Sequence, residues 1–392
     1  MKKAIALLTS LLILTLTCFS SFAENGENKE AELISDTDAY APKIEARSAV
    51  LMESRTGRIL FSHNEGFRAS PASVTKIMTL LIVCEAIRDG RIALDDKVSV
   101  SENAASLGGS QVFLKEGEIM TVDELIKCTV IASANDAATA LSEHVCGTVE
   151  SFVSEMNKRA DELGLRNTEF ENPTGLDDTT VNHYTSAEDI AIMSRELIKY
   201  DEVMKYSSIW QDTIRNGEFT LTNTNRLVRY YEGCTGLKTG STDKAGYCVS
   251  TTAKRGEMHL IAVIMGAESR ESRNAAARAL LDYGFSNFTL YEDAENRIDS
   301  VPIICGANDI VDVYSKGFST VVEKGKLKSV EREFKIPENI NAPIKSGEII
   351  GKIVYKLDGA VIGECDLYVN EDVDKLSFFG LFLRILAKAV FS

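Results

Sequence analysis

Phe67-Arg68-Ala69-Ser70-Pro71-Ala72-Ser73-Val74-Thr75-Lys76 runs directly into an apolar stretch that ends at Ile87, with Gly90 just beyond it. From residue 73 to 87 the apolar positions recur at helical spacing, and the glycine marks a stop. A serine that opens such a helix feels the positive end of its dipole and nearby free N–H groups. Lys76, three residues on, lies one turn along the same face, so the two side chains can touch. Taken alone, the pair reads as an N-cap beside a surface lysine. The rest of the chain decides otherwise.

Outward from this helix, strands are predicted at residues 48–52 and 58–61, around a Thr56-Gly57 turn. Helical patterns follow at 122–131, 135–145, 149–163 and 186–198, punctuated by Gly164, Pro173 and Gly175. Strands return at 247–253 and 258–265, split by Lys254-Arg255-Gly256, and a last helical pattern covers 270–283. Strands at both ends with helices between predict an α+β unit, one sheet closed by distant segments with helices packed on it. It spans residues 41–288.

Beyond it, short alternating runs at 349–356 and 360–369 flank Asp358-Gly359, a strong hairpin signal. They predict a small all-β domain at 289–372. The tail, 373–392, carries Phe378, Phe379, Leu381, Phe382, Leu383, Ile385 and Leu386, with Ser377, Arg384, Lys388 and Ser392 roughly on one helical face. It is short for a bilayer and has an arginine in its middle. An amphipathic helix lying in a membrane surface fits better. At the other end, Lys2 and Lys3, an apolar run from Ala4 to about Leu16, and Ser21-Phe22-Ala23 form a secretory signal, residues 1–23. Residues 24–40 read as an acidic linker, with six acids and one lysine between Glu24 and Asp38.

The chain has 392 residues, 44% of them hydrophobic, enough for two cores. A formal net charge of −15 argues against nucleic acid as a partner, which needs a basic patch. Eight cysteines, one inside the signal, show no zinc spacing, so no metal is expected. Cys84, Cys128 and Cys248 sit in apolar runs, where a small buried hydrophobe is the default.

Two further motifs follow Ser73-Val74-Thr75-Lys76 in order: Ser133-Ala134-Asn135 and Lys238-Thr239-Gly240. Each has chance doubles, such as Ser241-Thr242-Asp243-Lys244, Ser101-Glu102-Asn103, Ser272-Arg273-Asn274 and Arg55-Thr56-Gly57, so context selects. A neutral Lys76 can take the proton of Ser73. Free lysine titrates near ~10.4, so a working value near ~7 needs about 4 kcal/mol. Burial beside Ile77 and Met78 supplies part. A second cation, Lys238, supplies more: at about 5 Å and an effective dielectric of about 20 the repulsion is roughly 3 kcal/mol. Ser133 and Asn135 fall between two helical patterns, where a loop presents a hydroxyl and an amide to a cleft; the plainer reading is an N-cap pair. Gly240 lets a substrate backbone approach closely, and Lys238 and Thr239 suit a terminal carboxylate. His63, His144, His183 and His259 have no evident nucleophile to serve and read as surface or structural.

With their surroundings, these motifs resemble the low-molecular-weight penicillin-binding proteins, the serine-type D-Ala-D-Ala carboxypeptidase family. Phe67 to Ser73, Phe113-Leu114-Lys115-Glu116-Gly117, Asn172-Pro173-Thr174-Gly175-Leu176 and Thr242-Asp243-Lys244-Ala245-Gly246-Tyr247 carry the likeness. The family fold is an antiparallel sheet with helices on both sides, followed by a small all-β domain and a terminal amphipathic helix. The resemblance implies Ser73 as acylated nucleophile, Lys76 as its general base and Ser133 as proton relay. It implies Asn135, Lys238, Thr239, Gly240, Ser241 and Arg273 as substrate-binding residues, with Arg270 a rival to Arg273. The backbone N–H groups of Ser73 and Ser241 would form an oxyanion hole. Cys248 departs from the family, where an Asn is common. No cofactor is implied. The implied partners are the peptidoglycan stem peptide, β-lactams as covalent inhibitors and a membrane surface; the implied location is the outer face of the cytoplasmic membrane or the cell wall.

A class A-type β-lactamase shares the three motifs but needs a Glu-x-x-Leu-Asn loop, and Glu169-Phe170-Glu171-Asn172-Pro173 lacks that pattern. A non-catalytic wall-binding protein of the same fold would have lost the nucleophile or the lysine, and both are present.

Overall fold

The computed structural model describes residues 41–391. The expected signal and acidic linker lie outside them. At the centre is a five-stranded sheet of β1 (Ser48–Glu53), β2 (Ile59–His63), β3 (Cys234–Thr242), β4 (Gly246–Arg255) and β5 (Met258–Ala267). Its order is β2-β1-β5-β4-β3, and every neighbouring pair is antiparallel. The N-terminal strand therefore pairs with the last one, Val50 opposite Val263 and Leu51 opposite Ala262.

Strand alternation divides this sheet between two cores. Ala49, Leu51, Leu260, Ala262 and Ile264 face one core, and Val50, Met52, Ile261, Val263 and Met265 face the other. The helices of more than one turn, in chain order, are α1 (Lys76–Arg88), α2 (Val122–Ile131), α3 (Asn135–Cys146), α4 (Val149–Glu162), α5 (Ala187–Leu197), α6 (Asp201–Ser207), α7 (Arg270–Asn287) and α8 (Phe378–Phe391). Helix α7 covers the first face with Ala276, Ala277, Leu280 and Leu281. Helices α1 to α6 form the layer on the second face, so the expected sheet with helices on both sides is what the chain builds.

Local chemistry sets the helix ends. Thr121 and Glu124 form a reciprocal capping box on α2, Thr148 caps α4, Ser186 caps α5 and Ser269 caps α7. Helix α1 is buried on almost every face, from Lys76 through Ala86. It is the hub of the helical layer rather than an amphipathic surface helix. The sequence predicts this helix from residue 73; the chain instead makes a 3₁₀ turn, Ala72–Thr75, and becomes α-helical at Lys76. Helix α7 runs four residues past the predicted Tyr283.

After α7 the chain enters an all-β region. Strands Phe288–Asp293 and Phe318–Glu323 form one antiparallel pair, and six further strands form a second sheet. Phe318 stacks on Tyr355, with ring centroids 4.1 Å apart, and joins the two sheets. At the predicted hairpin, Asp358 and Gly359 both take positive φ, as its tight turn demands. Arg58 reaches across from the first domain, its Nη1 donating to the Val321 carbonyl at 2.7 Å, and Arg55 pairs with Glu292 at 2.8 Å.

The tail helix starts at Phe378, later than the sequence reading at 373. Val373 pairs with Ile344 and is buried in the β domain, which holds the chain extended up to that point. Arg384 of α8 donates to the carbonyls of Gly306 and Ala307 and pairs with Asp309 at 3.1 Å. Phe378, Phe379, Phe382, Leu383, Leu386 and Val390 stay exposed. Among the described residues no helix is long and apolar enough to cross a membrane.

Helix α7 presses close to the sheet at Gly284, where an added Cβ would lie 2.6 Å from Leu260 Cδ1 and 2.9 Å from Leu51 Cδ2. Gly284→Val is expected to destabilise the protein by roughly 1–3 kcal/mol through overpacking, read by denaturant unfolding. An unchanged midpoint would show that this contact yields freely.

Candidate active site

Ser73 sits in the 3₁₀ turn ahead of α1, half-buried, after Ala72 at φ 49°. A positive φ on a residue with a Cβ costs of order 1 kcal/mol or more and persists only where the surroundings impose it. Here the surroundings are two glycines. A Cβ on Gly175, itself at φ 81°, would stand 1.8 Å from the Ala72 carbonyl oxygen. A Cβ on Gly240 would stand 2.8 Å from both the Pro71 carbonyl oxygen and the Ser73 nitrogen. So β3 and the loop at 172–176 both lie against the serine turn, and neither glycine can be replaced without moving it.

Lys76 begins α1 and is fully buried. Its Nζ lies 2.9 Å from Ser73 Oγ, 2.6 Å from Asn135 Oδ1 and 2.8 Å from the Thr174 carbonyl oxygen. Two of these partners can only accept. A neutral amine has two N–H bonds and one lone pair. The N–H bonds go to Asn135 and Thr174, which leaves the lone pair for the Ser73 hydroxyl. The charge state agrees: burial holds Lys76 well below the ordinary lysine range, the nearby Lys238 cation lowers it further, and Asp136 opposes both. The sequence reading gave the second cation the larger share; burial is the larger cause, because the whole side chain is sealed inside the helical layer.

Asn135 is held in its turn. Its Nδ2 donates to the Gly108 carbonyl at 2.7 Å, which fixes the amide orientation and aims Oδ1 at Lys76. Its backbone N–H donates to the Ser110 carbonyl at 2.7 Å. The buried Asp136 carboxylate accepts from the N–H groups of Val112 and Leu114 and pins the same loop. Ser133 lies between α2 and α3 at φ 62°, another strained position, and accepts from Lys238 Nζ at 2.8 Å.

Lys238 is also buried, on β3, and its Nζ donates to the Thr239 carbonyl as well. Burial first, and Arg273 second, bring it down to about 7. Thr239 Oγ1 donates to Thr224 at 2.8 Å. Arg273, on the first turn of α7, is 3% exposed; its Nε and Nη2 donate to Asn274 Oδ1, and burial lowers it to about 10. Cys248 lies beneath it as a buried thiol, raised to about 11 by that burial, and its carbonyl faces Arg273 Nη1 at 3.5 Å.

A cleft of about 390 Å³ opens over these groups, lined by Ser73, Ser133, Thr239, Gly240, Ser241 and Arg273 among others. The structure thus gathers all nine residues singled out from the sequence at one place. Arg270, the rival to Arg273, lines the cleft as well, and the structure adds several residues with no motif of their own: Ser110, Trp210, Thr224 and Arg226 line the cleft, and Gly108 holds Asn135. Gly108-Gly109 was a readable turn signal; the others are defined by tertiary proximity alone. His183 is buried. Its Nδ1 accepts from the Glu171 N–H at 3.0 Å, so its Nε2–H faces Thr75 Oγ1 at 2.8 Å, and burial lowers it to about 4. It is a neutral brace behind the serine turn. Glu169 and Glu171 are both exposed; Glu171 accepts from the Val181 and Asn182 N–H groups, and neither acid lines the cleft.

Comparisons with known proteins agree along nearly the whole chain. The family model for D-alanyl-D-alanine carboxypeptidase matches residues 35–269, and that for the C-terminal domain of penicillin-binding protein 5 matches residues 285–375. The D-alanyl-D-alanine carboxypeptidase DacF of Bacillus subtilis is 41% identical, covering 98% of each chain. Penicillin-binding protein 5 from Haemophilus influenzae superposes with a TM-score of 0.77 at 34% identity, covering 85% of this chain and 99% of that one. Penicillin-binding protein D2 from Listeria monocytogenes, solved in its ampicillin-bound form, superposes with a TM-score of 0.57 at 30% identity, over 62% of this chain and 98% of that one.

A lysine lowered to about 7 in the fold and near 10.5 when unfolded binds its proton less readily in the folded state. Between those values stability rises with pH, and below about 7 the full cost of the buried charge remains. Lys238→Met removes it. Relative to the parent, the variant's Tm is expected to be higher at pH 6 than at pH 9 by roughly 2–4 °C, read by thermal unfolding. An equal difference at both pH values would mean that the buried amine is not the titrating group.

Proposed function

The chain belongs to the D-alanyl-D-alanine carboxypeptidase family and is a penicillin-binding serine carboxypeptidase; on that premise we propose the roles of its individual residues. Ser73 Oγ attacks the carbonyl between the two D-alanines of a peptidoglycan stem pentapeptide, and neutral Lys76 takes its proton. N–H groups of Ser73 and Ser241 stabilise the developing oxyanion. Lys238, Thr239 and Arg273 hold the terminal carboxylate, and Gly240 leaves room for the substrate backbone along β3. Lys238 orients Ser133, which passes a proton to the departing D-alanine. Water then hydrolyses the acyl-enzyme. A β-lactam mimics the dipeptide and acylates the same oxygen.

The observation that carries this reading is the complete burial of Lys76 with its Nζ 2.9 Å from Ser73 Oγ: burial favours the neutral amine, whose lone pair can then accept the Ser73 proton. The absence of a carboxylate among the cleft-lining residues favours a carboxypeptidase over a class A-type β-lactamase, whose deacylating water is activated by a glutamate acting as base. The expected result with a stem pentapeptide is release of one D-alanine, followed by mass spectrometry, and a covalent adduct of labelled penicillin at Ser73. Ser73→Ala is expected to lose both, with D-alanine release down at least about 10³-fold. An adduct that persists in that variant would assign the nucleophile elsewhere.

The protein is further proposed to act outside the cell, at the outer face of the cytoplasmic membrane. The charged start and apolar run of residues 1–23 support export. The exposed aromatic face of α8 supports attachment through that helix. Deleting residues 376–392 is expected to abolish co-flotation with lipid vesicles while leaving D-alanine release within about twofold. Continued flotation of the shortened chain would show that another surface binds the membrane.

A further inference from the structure

The cleft is more basic than its chemistry requires. Arg226, Arg270 and Arg273 line it, Lys238 stands behind Ser133, and no aspartate or glutamate lines it. This happens in a chain whose net charge is −15. The placement is also unfavourable for folding. Arg270 and Arg273 are the first and fourth residues of α7, at the positive end of its dipole, where cations are disfavoured. They lie three apart on one helix, where like charges repel. Arg270 depresses Arg273 accordingly, though less than burial does.

A substrate's terminal carboxylate brings one negative charge, and Lys238 with Arg273 already answers it. Arg226 and Arg270 are exposed on the rim, and among the described residues no carboxylate forms an ion pair with either. Two cations thus line the cleft beyond the pair assigned to the terminal carboxylate. We propose that Arg270 and Arg226 recognise a second free carboxylate, on the stem residues that precede the D-Ala-D-Ala pair, and so select free-acid stems over amidated ones. This rests on the carboxypeptidase reading and adds a substrate class to it. Long-range attraction alone is a weaker explanation, because both are arginines lining the cleft, and a guanidinium carries donor groups suited to paired hydrogen bonds with a carboxylate.

The test uses two pentapeptides that differ only in whether the carboxylates ahead of D-Ala-D-Ala are free or amidated. kcat/KM is read from released D-alanine. The parent is expected to favour the free acid by about fivefold or more at low salt, with the ratio shrinking as salt rises. Arg270→Gln combined with Arg226→Gln is expected to bring the ratio towards one, and Arg270→Lys to retain most of it. The ratio within one preparation does not depend on how much of a variant is folded. A parent ratio near one, or a ratio unmoved in the glutamine variant, overturns the inference and leaves the carboxypeptidase reading intact. Release from neither peptide sinks both.

Discussion

The site depends on burying two lysine amino groups in one cleft without a carboxylate to neutralise them. Water would keep both protonated, so the fold has to exclude it. Helix α1 does this for Lys76 by being buried on nearly all sides, and β3 does it for Lys238. Asp136 is the acid that opposes the shift of Lys76, and its oxygens are occupied by the backbone of Val112 and Leu114. What remains around Lys76 is two obligate acceptors and one hydroxyl, a set that gives a neutral amine two acceptors for its N–H bonds and a hydroxyl for its lone pair. Burial sets the protonation state, and the partners then set where the lone pair points.

Such a cleft cannot be assembled from one stretch of chain. Its parts come from the turn before α1, the link between α2 and α3, strand β3 and the first turn of α7. The antiparallel sheet makes their convergence possible, because β1 pairs with β5 and carries the start of the domain to its end. Two glycines then set the spacing. Gly240 lets β3 lie against the Ser73 nitrogen, and Gly175 lets the loop at 172–176 lie against Ala72. The positive φ angles of Ala72 and Ser133 are the local cost of this packing.

Much of this was legible in the sequence, for reasons that differ by element. Helices α2, α4, α5 and α7 announce themselves through capping residues and apolar period. Strand β3 did not. Cys234-Thr235-Gly236-Leu237-Lys238-Thr239-Gly240-Ser241-Thr242 has two glycines, a lysine and no alternation, and its burial is due to the cleft rather than to apolar side chains. The hairpin at Gln211–Ile214 and Phe219–Thr222 was missed as well; its strands are short and mostly polar. Reactive residue types were readable because acyl transfer needs a hydroxyl, a base and an anion binder. Ser110, Thr224 and Arg226 were not, because nothing in their neighbours distinguishes them from surface residues. The relative weight of burial and of Lys238 on Lys76 was likewise out of reach, since depth is a property of the fold.

The charge distribution connects the cleft to the proposed anchor. With 58 acidic and 43 basic side chains, the exterior is acidic while the cleft is lined by arginines. Low-dielectric walls focus that positive potential on the substrate's path. The same acidic exterior offers an anionic membrane nothing, so the proposed attachment rests on apolar burial. Helix α8 is built accordingly. Arg384, a basic residue within it, is already engaged with the Gly306 carbonyl and Asp309, whereas Phe378, Phe379 and Phe382 are left outside. An anchor of this kind binds through inserted area rather than charge, and is correspondingly insensitive to salt. The proposed substrate selection is therefore sensitive to ionic strength and the proposed membrane attachment is not, so the two can be told apart on physical grounds.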